Sequence, residues 1–111
     1  ISLSHRENFG YSFAEAIAHG LPVIVTPGHD LAHDIAAGER AGFPCGWLLP
    51  DDALQTAIAA IRDFAAAPAS RLVAQGAAGR VWAADHLAFD RFRDALQGIA
   101  ADAMQATGRR P

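Results

Sequence analysis

The stretch that decides the fold reads Ser4-His5-Arg6-Glu7-Asn8-Phe9-Gly10-Tyr11-Ser12-Phe13-Ala14-Glu15-Ala16, then Ala18-His19-Gly20-Leu21-Pro22-Val23-Ile24-Val25-Thr26. Its order is an extended run, a loop with a carboxylate, a glycine, a helix, a second glycine and a second extended run. Val23-Ile24-Val25 is β-branched, bounded by Pro22 and Pro27, and has no polar alternation, which predicts a strand covered on both faces. Residues 11–19 are good helix formers, and Gly20 is placed to end that helix in a left-handed conformation. Strands separated by a helix of this size imply a crossover and parallel pairing.

Working outward, residues 1–4 and 22–26 are the first two predicted strands. Residues 31–37 give a short helix stopped near Gly38, and residues 46–49 a third strand ending at Pro50. The expected fold class is therefore α/β: a parallel three-stranded βαβαβ unit over residues 1–50, followed by a helical tail over residues 51–108. In the tail, residues 53–66 place Leu54, Ile58, Ile61 and Ala65 at helical spacing behind Asp51-Asp52, which suits a helix N-terminus. Pro68 separates this helix from one around residues 70–84, where Gly76 and Gly79 weaken the helical pattern. The last helix, about residues 87–104, gathers Phe89, Phe92, Leu96, Ile99 and Ala103 on one stripe.

At 111 residues the chain holds one domain at most. It opens on Ile1-Ser2-Leu3-Ser4, which reads as a strand already under way, so further strands are expected upstream. The net charge is -3 and the nine basic residues, all Arg, are scattered, which leaves no basic face for nucleic acid or an anionic membrane. No apolar run approaches the roughly 20 residues of a membrane span. The single Cys45 has no partner for an internal disulfide and reads as a structural thiol suited to a reducing compartment.

The chemistry sits in the loop that leaves the first strand. Ligands of parallel sheets bind outside the C-terminal ends of strands. The free amides and dipole of a helix start suit a diphosphate, and Gly10 allows the backbone close to it. Glu7 precedes the helix and Glu15 lies about one turn inside it. Carboxylates accept hydrogen bonds from vicinal hydroxyls, so an acid on each side of a diphosphate nest fits a nucleotide sugar.

These residues, in this order, resemble the retaining glycosyltransferases of the GT-B fold, family 4 in particular. The likeness lies in two glutamates separated by seven residues, Phe9-Gly10 after the first, and Glu15-Ala16 with Gly20-Leu21-Pro22-Val23-Ile24 after the second. It implies part of a Rossmann-like C-terminal domain whose strand order is 3-2-1-4-5-6, the strands here being the last three. The upstream strands and the N-terminal acceptor domain would lie outside this chain. By the same resemblance Glu7, the catalytic residue, would bind hydroxyls of the transferred sugar, with the backbone of Asn8, Phe9 and Gly10 beside it. The amides of Tyr11 and Ser12 would meet the diphosphate, and Glu15 the ribose hydroxyls. The implied activity is transfer of a sugar from a nucleoside diphosphate sugar to an unspecified acceptor, with retention and without a metal or further cofactor. The implied location is the cytoplasm, or the inner face of a membrane for the parent enzyme.

The family's leaving diphosphate is stabilised by an Arg and a Lys. This chain has no Lys and Arg6 is not at the matching position, so the chain alone is expected to be inactive. It also departs from the family at Thr26-Pro27-Gly28-His29-Asp30, where a Gly-rich loop followed by Glu is usual and Asp34 is the nearest acid. Two other functions compete: a GT-B-fold nucleotide-sugar epimerase, and a non-enzymatic flavodoxin-like module with Asp51-Asp52 as its acidic cluster.

Structural roles stand beside the functional ones. Ser12-x-x-Glu15 is a capping-box pattern, and Glu7 can be a solvated loop carboxylate. His29 and His33, beside Asp30 and Asp34, have metal-ligand spacing, but Asp30 as a helix N-cap would leave His29 outside the turn. His19 suits a helix C-terminus, and Trp47 and Trp82 read as core or interface aromatics. An unpaired edge on residues 1–4 would need a cover, for which the stripe on the last helix is the available material. Self-association is expected for that reason.

Overall fold

The computed structural model describes residues 1–7, 10–38 and 42–108. The elements run α1 (Tyr11–Ala18), β1 (Val23–Val25), α2 (Asp30–Gly38), β2 (Gly46–Leu48), α3 (Leu54–Ala66), α4 (Ala69–His86) and α5 (Phe89–Ala106). Helix makes up 64% of the structure and strand 9%, so the fold is predominantly helical around a small sheet.

That sheet has two strands, β1 and β2, paired in parallel with Val23 opposite Gly46, Ile24 opposite Trp47 and Val25 opposite Leu48. The expected three-stranded Rossmann-like unit is therefore not what the chain builds. Residues 1–4 lie along the other side of β1 but make a single parallel bridge, Ser2 to Val25. The Ser2 amide donates to the Ile24 carbonyl (2.9 Å) and the Ser2 carbonyl accepts from the Thr26 amide (3.2 Å). Beyond Ser2 the Ser4 carbonyl accepts from the Thr26 hydroxyl, and the next parallel bridge between the two segments comes only at Glu7 and His29. Ile1 and Leu3 remain exposed, so burial does not extend the segment into a strand.

Side chains of β1 alternate between two apolar layers. Val23 and Val25 face Phe13 and Ile17 of α1, Leu31 and Ile35 of α2, and Trp82 of α4. Ile24 faces the opposite way, with Leu49 and the small Ala57 and Ala60 of α3, edged by Trp47. Ile17 and Ile35 are wholly buried, and each such side chain stabilises the fold by about 1.5–3 kcal/mol. A strand covered on both faces explains the continuous apolar run.

Helix α4 closes the first layer through its glycines. A methyl group at Gly76 would lie 2.0 Å from the Gly20 carbonyl oxygen, and one at Gly79 would lie 3.2 Å from Cβ of Ile17. Gly76 and Gly79 are thus where α4 touches α1, and both sit inside an unbroken helix. Helix α5 buries none of its residues. No helix among the described residues is long and apolar enough to cross a membrane.

Candidate functional site

The turn after β1 and the loop before α1 are tied together by backbone. The Glu7 amide donates to the Gly28 carbonyl (2.8 Å), and Glu7 bridges His29 in parallel. Gly28 has no room for a side chain, since a Cβ there would sit 2.1 Å from the His5 carbonyl oxygen. Glu7 is half-buried, and the Ser4 hydroxyl donates to its Oε2 at 3.4 Å.

Gly10 is the N-cap of α1 at φ 75°, ψ 66°, in the left-handed region that a side chain resists. Its carbonyl accepts from Ala14 (2.9 Å) and begins the helix. With the cap at Gly10, Ser12 lies inside the first turn, so Ser12 and Glu15 do not form a capping box. The amides of Ser12 and Phe13 belong to the turn that has no intrahelical acceptors, and no side chain caps it. Tyr11, Ser12 and Glu15 all present exposed side chains.

Two open hollows flank this turn. One, of about 200 Å³, is lined by Glu7, Gly10, Tyr11, Ser12 and Phe13, with Ser2 and His29 at its inner side. The other, of about 300 Å³, is lined by Ser12, Glu15, Ala16, His19 and Leu21. They adjoin at Ser12, so Glu7 and Glu15 stand on either side of the helix start, in neighbouring hollows rather than one cleft. Asn8 and Phe9, also named from the sequence, lie outside the described residues.

The N-cap of α2, expected at Asp30, falls at His29 instead. The His29 carbonyl accepts from Ala32 (3.1 Å) and His33 (3.4 Å), and Asp30 is already the first helical residue. The ring is buried, edge-on to Phe13. Nδ1 faces the Thr26 carbonyl at 3.2 Å, and Nε2 faces the Ser2 hydroxyl at 2.9 Å. A carbonyl can only accept, so Nδ1 carries the proton and Nε2 accepts from Ser2. His33 donates from Nε2 to the Pro27 carbonyl (2.6 Å). Both imidazoles therefore serve the turn after β1, and among the described residues no group of three metal-ligating side chains exists. The one sequence signal was the Thr26-x-x-His29 spacing at a strand exit.

The remaining polar residues hold structure. His19 donates from Nδ1 to the Glu15 carbonyl (2.9 Å) at the C-terminus of α1. Asp52 pairs with His5 at 2.5 Å. The Thr56 hydroxyl and then the Ala53 amide hold Asp51 below the usual carboxylate range. Of the acidic pair after β2, Asp51 thus fixes the start of α3 and Asp52 pairs with His5. Trp47 donates its indole N–H to Asp63 (2.6 Å), and Arg71 pairs with the same carboxylate (3.1 Å) while lying 4.8 Å over the Trp47 ring. The indole N–H first, and Arg71 after it, lower the Asp63 pKa.

No family model matches the chain, and no curated protein or solved structure matches it.

Proposed function

We propose that the chain binds the donor of a sugar transfer, a nucleoside diphosphate sugar. In this reading Glu7, with Asn8, Phe9 and Gly10 beside it, takes the hydroxyls of the transferred sugar. The first-turn amides at Tyr11 and Ser12 take the diphosphate, and Glu15 takes the ribose. The observation that carries it is the order acid, uncapped helix start, acid, along hollows that adjoin at Ser12. The helix dipole and the amides of the first turn favour the diphosphate there, and each carboxylate can accept from two neighbouring hydroxyls.

Sugar contacts at Glu7 that tighten as the glycosidic bond loosens would raise turnover, whereas ribose contacts at Glu15 would mainly hold the donor. The cation that offsets the leaving diphosphate, and the acceptor, would come from outside these residues. The parent glycosyltransferase would then work on the cytoplasmic side, and the chain alone would not transfer sugar.

The test is titration of the chain with UDP, GDP, ADP and inorganic pyrophosphate, read from backbone amide chemical shifts. At least one nucleoside diphosphate should move the Tyr11 and Ser12 amides. Glu15→Ala should remove its advantage over pyrophosphate, about tenfold for a pair of hydrogen bonds. Millimolar nucleotide leaving those amides unmoved would refute the reading.

A further inference from the structure

We propose that α5 is the pairing surface for a second copy of this chain, which docks along it antiparallel. Phe89, Phe92, Leu96, Ile99, Ala103 and Ala106 recur at alternating steps of three and four, the repeat of a coiled-coil seam. Every charged residue of the helix (Asp90, Arg91, Arg93, Asp94 and Asp102) lies off that seam. Within its own chain α5 leaves Phe89 74%, Phe92 60%, Leu96 50% and Ile99 65% exposed. These four side chains offer on the order of 500 Å² per copy. Two copies together offer at most about 1,000 Å² from these side chains, the lower bound for a biological interface and the range of weak, reversible dimers.

Size and charge both select the occupant and its direction. The large residues stand at the N-terminal end of the seam and the alanines at the C-terminal end. A parallel copy would set Phe on Phe and Ala on Ala, giving a bulge at one end and a void at the other. An antiparallel copy sets Phe89 opposite Ala106, Phe92 opposite Ala103 and Leu96 opposite Ile99, so each layer has similar volume. Arg93 is engaged within the helix by Asp90 (3.0 Å) and Asp94 (3.2 Å). Arg91 and Asp102 have no ion pair among the described residues. In the antiparallel register Arg91 of one copy and Asp102 of the other share a flank, roughly 3 Å apart along the axis. Symmetry makes that pair twice, and the two helix dipoles oppose.

The orientation is read by cysteine cross-linking of the 111-residue chain, whose own Cys45 is buried. Mixed Phe92→Cys and Ala103→Cys chains should form a disulfide-linked dimer. Neither variant alone should do so, because in this register each residue stands about 16 Å from its own copy, beyond disulfide reach. Light scattering of the unmodified chain should give a dimer at high micromolar concentration, and Leu96→Asp with Ile99→Asp a monomer. Because α5 buries nothing at home, Trp47 and Trp82 fluorescence should report an intact head in that double variant. An unmodified monomer, a dimer that survives the two aspartates, or Ala103→Cys alone linking to itself would each overturn the proposal.

Discussion

Helices α4 and α5 are equally long, 18 residues each, and the sequence ranks them in the wrong order. Helix α5 carries the clean apolar stripe, yet nothing on it is buried. Helix α4 has a ragged pattern broken by two glycines, yet it buries Gly76, Gly79, Trp82 and Ala83. An apolar stripe states that a helix needs a partner; it does not supply one. Glycines three apart on one face state something stronger, that another backbone comes close enough to exclude even a methyl group. In α4 that backbone is the end of α1 at Gly20.

The contrast is easiest to break through side-chain deletion. Ile17→Ala, on the α1 side of the α1–α4 seam, should cost about 2–5 kcal/mol in urea unfolding, from lost burial and the cavity left. Phe92→Ala on α5 should change the unfolding of the isolated chain by less than about 0.5 kcal/mol. Equal losses at the two positions, measured at a concentration where the chain is monomeric, would mean that α5 packs on its own chain after all.

A single chemical change tested on both helices sharpens the comparison. Gly76→Ala forces a methyl group onto the Gly20 carbonyl and should destabilise by about 1–3 kcal/mol. Gly98→Ala in α5 meets nothing within 4 Å and should stabilise that helix by up to about 1 kcal/mol, seen as higher helicity and a raised midpoint. The opposite signs are the expected result, and a gain at Gly76 would show that the two helices are not in close contact.

The smallest effect is a dependence on pH. Trp47 and Arg71 hold the Asp63 carboxylate below its ordinary 3.8, tying β2 to α3 and α4. A depressed folded-state pKa contributes stability that is fully present above 3.8 and fades as pH falls through the lower folded value. Asp63→Asn should therefore lower the urea midpoint slightly at neutral pH and leave it nearly unchanged in acid, which flattens the acid limb. An identical acid limb in the variant would show that the tie contributes nothing. Helix α5, whose ion pairs lie within the helix, has no such link to lose.

Legibility follows the range of the interactions. The Val23–Val25 run could be read because its cause is local: β-branched residues between two prolines, buried on both faces. Residues 1–4 were misread as a strand because their apolar content is local, while the shortage of partners is set by where β1 ends. His29 could not be read, since its ring is fixed by Ser2, 27 residues away. Around the candidate site, the order Glu7, Gly10, Glu15 was visible; a left-handed glycine was expected at Gly20, where φ is 76°, but not at Gly10, where φ is 75°. What the sequence could not say is that Glu7 is held from the far side by Gly28. Nor could it say that the helix start divides the space into two hollows.

That hold on Glu7 has a consequence for the order of folding. The Ser2–Ile24, Thr26–Ser2, Glu7–Gly28 and His29–Ser2 bonds each join segments more than 20 residues apart in the chain. The first turns of α1 and α2 close over three or four residues, far sooner than such long loops. Glu7 therefore reaches its position only after the turn at residues 26–29 exists to receive it, and the carboxylate assigned to the reacting sugar is among the last parts of the molecule to be set. Pulsed hydrogen exchange during refolding would see this as late protection of the Glu7 amide, well after the helices are shut.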